Sequence, residues 1–149
     1  MRQDSRLSRV LHALLHLEEM DEPATSDVIA AMLQTNSAVV RRTMAGLRNN
    51  GIVTSTKGHG GGWSLARPLD EITLLGIYEA LGSPPLFAIG NDNDDPRCLL
   101  AQAANAATNE ALSTARVHFE RSLDAITVAQ LVADLRTDIA KCGSADSGG

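Results

Sequence analysis

Aromatic residues are scarce in this chain, with one Trp, one Tyr and two Phe among 149 residues. A core without rings must be built from Leu, Ile, Val, Ala and Met. The 44% apolar content is enough to supply one. An Ala- and Leu-rich interior favours helices. Cysteine is also scarce. Cys98 and Cys142 cannot make a disulfide framework, and neither belongs to a CxxC pair. A tetrahedral zinc site built from cysteines is therefore not expected. No apolar run approaches the roughly 18 residues that a membrane span needs. The first residues, MRQDSRLSRVLHALLHLEE, lack the apolar stretch and small-residue cleavage site of a signal peptide. The expectation is a cytoplasmic protein of about one domain, with no membrane partner.

An excess of positive charge is missing too. The formal net charge is −5, which argues at first sight against nucleic acid. The distribution reverses that argument. Between Asp27 and Asp70 there is no acidic residue, and the same stretch holds Arg41, Arg42, Arg48, Lys57, His59 and Arg67. A locally basic segment in an acidic protein suits a phosphate-binding face. The plainer alternative is chance clustering on a solvated surface.

What is present reads as a succession of helices with one hairpin. Leu7, Val10, Leu11, Leu14 and Leu17 fall at helical spacing and predict a helix over 6–19, capped by Asp4 or Ser5. Pro23 interrupts. Thr25 or Ser26 then caps a second helix with Val28, Ile29, Met32 and Leu33 inward, and Gln34-Thr35-Asn36 makes a turn. A third helix starts at Asn36 or Ser37. Val40, Met44 and Leu47 are its buried stripe, with Arg41, Arg42 and Arg48 facing away. Asn49-Asn50-Gly51 stops it, since these residues tolerate the left-handed cap. Ile52–Thr56 is a β-branched strand, Lys57–Gly62 a turn, and Trp63–Ala66 the returning strand.

After Pro68, a fourth helix is expected from Asp70 with Ile72, Leu75, Ile77, Tyr78 and Leu81 inward. Residues 83–96 read as a mobile loop with Pro84, Pro85, Gly90 and the run Asn91–Asp95. A long Ala-rich helix over about 97–122 and a last one over about 127–141 follow, with 143–149 as a disordered tail. The expected fold class is mainly α with a small β-hairpin wing. It comprises a winged helix-turn-helix over 1–82 and a helical dimerisation region over 97–142.

The order of helix, Asn-Asn-Gly stop, strand, Gly-rich turn and strand is what a winged helix-turn-helix requires. Its third helix must show its N-terminus and one polar face to the major groove. Asn36 and Ser37 sit where backbone N–H groups favour a phosphate oxygen. Arg41 and Arg42 lie a turn further on, placed to contact guanine in bidentate fashion or to clamp phosphate. The wing must be slim. Gly60, Gly61 and Gly62 are read as giving that slimness, and Lys57 as giving charge for a narrow minor groove. His59 could touch phosphate when protonated. Taken singly, a solvated arginine face and an ordinary glycine turn explain the same residues.

Leu47-Arg48-Asn49-Asn50-Gly51-Ile52-Val53, followed by Lys57-Gly58-His59-Gly60-Gly61-Gly62-Trp63-Ser64-Leu65-Ala66, resembles the signature of the Rrf2 family of transcriptional regulators. The resemblance is strong over residues 1–82 and looser to about 140. It implies a homodimer joined by the long helix and double-stranded DNA as partner. It also implies a near-palindromic operator with half-sites about one helical turn apart. It assigns DNA contact to Asn36, Ser37, Ala38, Arg41 and Arg42, and to the wing residues Lys57, Gly58 and His59. Lys57 stands where the family usually has Arg, and Trp63 replaces the common Tyr.

Cluster-binding members of the family place three cysteines before and at the start of the long helix. This chain has Cys98 alone there. A three-cysteine cluster is excluded, while a mixed-ligand iron–sulfur cluster on Cys98, a histidine and a carboxylate stays open. With that exception no cofactor is expected. Cys98 follows Pro96-Arg97 near a helix start, where the helix and the arginine lower a thiol's pKa and Asp94 and Asp95 oppose them. It is a candidate redox thiol or, more plainly, a half-buried packing cysteine. A small-molecule effector between the wing domain and the long helix, and a metal, are the other candidate signals. His12 and His16 share a helix face at i, i+4, a metal-capable spacing. No carboxylate or cysteine stands at matching spacing, so no metal site is expected there. His118 reads as structural.

The Gly-rich turn is not a nucleotide loop, because no Gly-Lys-Ser/Thr follows and Trp63 stands where the last Gly of GxGxxG would fall. No nucleophile has a base and an orienting acid beside it. An enzyme is therefore not expected. The remaining alternative to a DNA-binding regulator is a winged-helix module that binds another protein.

Overall fold

A computed structural model describes residues 5–86 and 98–145. The expected residues of the middle loop, 87–97, and the final four, 146–149, lie outside the described residues, as do Asp4, Asp94, Asp95 and Arg97.

Helix α1 (Arg6–Glu19) buries Val10, Ala13, Leu14 and Leu17. Leu7 and Leu11 lie at the edge of that core and are only partly covered. Ser5 occupies the cap position without making a side-chain hydrogen bond. Helix α2 (Ser26–Met32) is capped by Thr25, whose hydroxyl accepts from Val28 N–H at 3.3 Å. Its inward face is Ile29 and Ala30. Val28 points outward, and Met32 and Leu33 are half-buried, so the expected stripe is corrected at Val28. A seven-residue helix has room for only one covered turn.

Helix α3 (Ser37–Asn49) has Asn36 as its cap, and its Oδ1 accepts from Val39 N–H at 2.9 Å. Val40, Met44 and Leu47 are buried, and Arg41, Arg42 and Arg48 are exposed, as the spacing predicts. Gly51 takes up the left-handed stop with φ +69°. Strands β1 (Val53–Thr56) and β2 (Gly62–Leu65) pair antiparallel, Val53 opposite Leu65 and Thr56 opposite Gly62.

The fourth helix does not start at Asp70. Residues Leu69–Glu71 form a single 3₁₀ turn, and α4 (Leu74–Ala80) begins after Thr73, whose hydroxyl accepts from Gly76 N–H at 3.1 Å. Thr73 is the better cap because its backbone is extended there. Leu74, Ile77 and Tyr78 face inward, while Leu75 is half-buried. Helices α5 (Leu99–Asp124) and α6 (Val128–Ala145) complete the chain. Gly143, Ser144 and Ala145 continue α6, so the expected tail begins later than Gly143.

One hydrophobic core runs through α1, α2, α3, both strands and α4. Val128, at the start of α6, joins the same core with 1% exposure. It is held by backbone bonds, Leu74 N–H to Ile126 O and Val128 N–H to Ile72 O, both 2.9 Å. The turn between α5 and α6 is thereby tied to the winged-helix body.

Candidate nucleic-acid interface

The interface is set by how α3 and the hairpin are held. Helix α3 crosses α4 so closely that a Cβ on Gly46 would lie 2.5 Å from Ala80 O. Only glycine allows that approach. The hairpin is fixed from behind by the segment before α2. Ala24 N–H donates to Trp63 O at 2.9 Å, and Trp63 N–H donates to Ala24 O at 2.8 Å. A Cβ on Gly62 would lie 2.5 Å from Ala24 O, and one on Gly61 would lie 2.5 Å from Thr56 O. Gly62 permits the backbone contact with Ala24 where the ladder meets the turn, and Gly61 closes the turn itself against Thr56 and Gly58. Open space around the tip, read from the sequence for Gly60, Gly61 and Gly62 together, is found at Gly60 and at Gly58.

Trp63 anchors the hairpin. Its ring is buried, and its indole N–H donates to Ser26 Oγ at 3.0 Å, satisfying the polar edge of a buried aromatic. Arg48 braces the same place. Its guanidinium carbon stands 5.8 Å from the Trp63 ring centroid, and its Nη1 donates to Ser55 Oγ at 3.4 Å. Arg67 closes the far end by donating to Gly51 O at 2.9 Å. Of the arginines in the acid-free segment, Arg48 and Arg67 are thus occupied in joining α3 to the wing.

Arg41 and Arg42 are left on the exposed side of α3, and Lys57, Gly58 and His59 are exposed at the wing tip. Among the described residues none of these side chains is ion-paired. Arg41 reaches back to Ser37 Oγ at 3.4 Å, a weak contact that phosphate or a base edge would displace. Ala38 is exposed and Ser37 half-buried. Asn36 is committed to its cap, so a bidentate amide contact to adenine would break that cap. The geometry suits Asn36 to positioning the helix start.

Cys98 is the cap residue of α5 and is exposed in the single chain, where the plainer expectation was a half-buried packing cysteine. Its backbone carbonyl accepts from Gln102 N–H at 3.1 Å. Nothing local in the sequence announces the Arg48–Trp63–Ser26 brace. The available signal was a lone tryptophan in a short strand, which needs a polar partner for its N–H. Gly46 in mid-helix was a sign of close helix approach.

An exposed polar helix face beside a hairpin wing defines a winged helix-turn-helix DNA-binding protein of the transcription-regulator class. Residues 3–134 match the Rrf2 family, described as "Iron-dependent Transcriptional regulator". The chain belongs to the Rrf2 family. YwnA of Bacillus subtilis (strain 168), named as an HTH-type transcriptional regulator, is 34% identical over 121 residues, covering 80% of this chain and 89% of YwnA. A crystal structure described as a DNA binding protein superposes with TM-score 0.69 at 27% identity, covering 86% of this chain and 99% of that one. T. potens IscR shares the fold with TM-score 0.62 at 22% identity, covering 91% and 88% of the two chains. The relatives and the family are regulators, and the chain is not an enzyme. No described helix is long and apolar enough to cross a membrane.

The family description implies iron. Among the described residues no three His, Cys, Asp or Glu side chains converge as a metal group. The described residues by themselves do not make up an iron or iron–sulfur site.

Proposed function

We propose that the chain is a homodimeric repressor that binds a near-palindromic operator through α3 and the wing. The observation that carries this reading is the outward face of α3, where Arg41 and Arg42 stand unpaired in a segment without one acidic residue from 28 to 69. Arg41 and Arg42 read or clamp the major groove, Ser37 and Ala38 allow the helix start to approach, and Asn36 holds that start in shape. Lys57, Gly58 and His59 lie along the backbone or minor groove, where a lysine responds to groove width.

The homodimer is supported by α5. This helix has 26 residues and buries none of them in the single chain. Leu99 and Leu100 are 79% and 80% exposed, and Val117 is 45% exposed. Ala103, Ala107, Ala111 and Thr114 continue the exposed face at helical spacing between Leu100 and Val117. A second α5 would cover this small-residue stripe at close range. Two recognition helices would then address half-sites about 34–36 Å apart. The dimer is a cytoplasmic one, and its signal acts near the start of α5, where Cys98 is open to oxidants. A small effector is the other signal compatible with the fold.

Fluorescence anisotropy on DNA from upstream of the chain's own gene tests the reading. The reduced wild type is expected to bind as a dimer, and Arg42→Glu to lose binding while melting like the wild type. Retained affinity in Arg42→Glu would remove α3 from the recognition role. Equal affinity before and after peroxide would remove Cys98 as the signal and leave the effector.

A further inference from the structure

The two histidines of α1 do not point independently. Their Nε2 atoms lie 2.9 Å apart, with ring centroids 4.6 Å apart and planes tilted by 39°. His12 is exposed and His16 half-buried, on the side of α1 away from Val10, Leu14 and Leu17. Two neutral imidazoles at this separation share one hydrogen, with one Nε2–H donating to the other ring's lone pair. The same convergence has the dimensions of a chelate. Two imidazole nitrogens each about 2.0–2.1 Å from one ion, and at a right angle to each other, stand about 2.9 Å apart. A tetrahedral ion would spread them to about 3.3 Å. Right-angle imidazole sites suit copper(II) and nickel(II), and copper(II) stands highest in affinity among the divalent ions.

We propose that His12 and His16 form a two-nitrogen chelating site for copper(II), with nickel(II) bound more weakly. This departs from the sequence expectation, which set the pair aside for want of a third ligand. Among the described residues no third His, Cys, Asp or Glu joins the pair, so water fills the remaining positions. Binding balances simply. The hydrogen held between the two Nε2 atoms moves to Nδ1 of its own ring, both Nε2 lone pairs go to the ion, and neither ring changes charge. Arg9 precedes His12 by one turn and Glu19 follows His16 by one turn, so the charges along this face offset each other. The ion would clamp two successive turns of α1, a helix that packs on β2 and α4.

The test is titration of the full-length protein with copper(II), followed by electron paramagnetic resonance and thermal melting, with nickel(II) in parallel. One copper per chain with a two-imidazole nitrogen pattern and a raised Tm is expected. Losing even an outer partner of a metal site costs about tenfold or more in affinity, so His12→Ala and His16→Ala should each weaken binding by at least about tenfold. His59→Ala and His118→Ala should leave it unchanged. If His16→Ala melts early, His12→Gln on the exposed ring carries the same expected loss. No binding at millimolar copper, or binding untouched by both His12 variants, would overturn the proposal and leave the pair as a hydrogen bond only.

Discussion

The winged-helix body and α5 are opposite kinds of structure. In the body, every helix places a stripe in a shared core, and Leu14, Leu47 and Ile77 have no exposure at all. Helix α5 is the longest element and buries no residue. Its inner edge touches the body where Phe119 meets Tyr78 edge-on, with ring centroids 5.3 Å apart. Tyr78 also donates its hydroxyl to Pro84 O, holding the chain where it leaves α4. The body is complete as a single chain. Helix α5 leaves its Ala-rich outer face open in the single chain, and in the homodimer proposed above a second α5 covers it. The contrast teaches that a half with its own core carries its own stability, whereas α5 gains cover only if the proposed dimer forms.

Substitutions can break this contrast from either side. The largest expected effect is Ala107→Glu in the outer face of α5. A charge at the centre of a helix seam should dissociate the dimer at micromolar concentration, while the body keeps its helical circular dichroism. Sedimentation velocity reads the change, and an unaltered dimer would move the interface elsewhere. Leu14→Ala attacks the body and should cost about 2–5 kcal/mol in urea unfolding. Leu100→Ala, at 80% exposure, should cost the isolated chain almost nothing by the same measurement. Gly46→Ala should cost about 1–3 kcal/mol, because the added methyl meets the Ala80 carbonyl and α4 must move. A milder loss is expected of Asn36→Ala, about 1 kcal/mol from the lost cap. If that variant lost DNA binding far beyond its stability change, Asn36 would be a reader of bases.

Much of this body was legible in the sequence because its signals are local. The spacing of Val10, Leu14 and Leu17 dictates the face of α1, and Asn49-Asn50-Gly51 dictates the end of α3. Signals failed where tertiary contact decides. Val28 was expected inside α2, yet a seven-residue helix turns it outward. Asp70 was expected to open α4, yet the helix waits for Thr73 because Ile72 and Val128 first pair their backbones. The wing glycines were assigned to the tip, but Gly62 serves the approach of Ala24 from far along the chain. For the candidate site, the exposure of Arg41 and Arg42 follows from helical period. The diversion of Arg48 to Trp63 and Ser55 does not, since it needs the hairpin to fold back beside α3.

Under the proposed function the cations of α3 and the wing, free of ion pairs among the described residues, meet phosphate and bases. The most direct measurement is the salt dependence of binding to the upstream DNA, for the wild type and for Lys57→Ala. A steep log–log slope of about 0.9 per phosphate contact is expected, and in Lys57→Ala a slope shallower by about one such contact per protomer. A wild-type affinity that is flat with salt, or that is absent while the protein retains another protein, would contradict it and make the winged helix a protein-binding module.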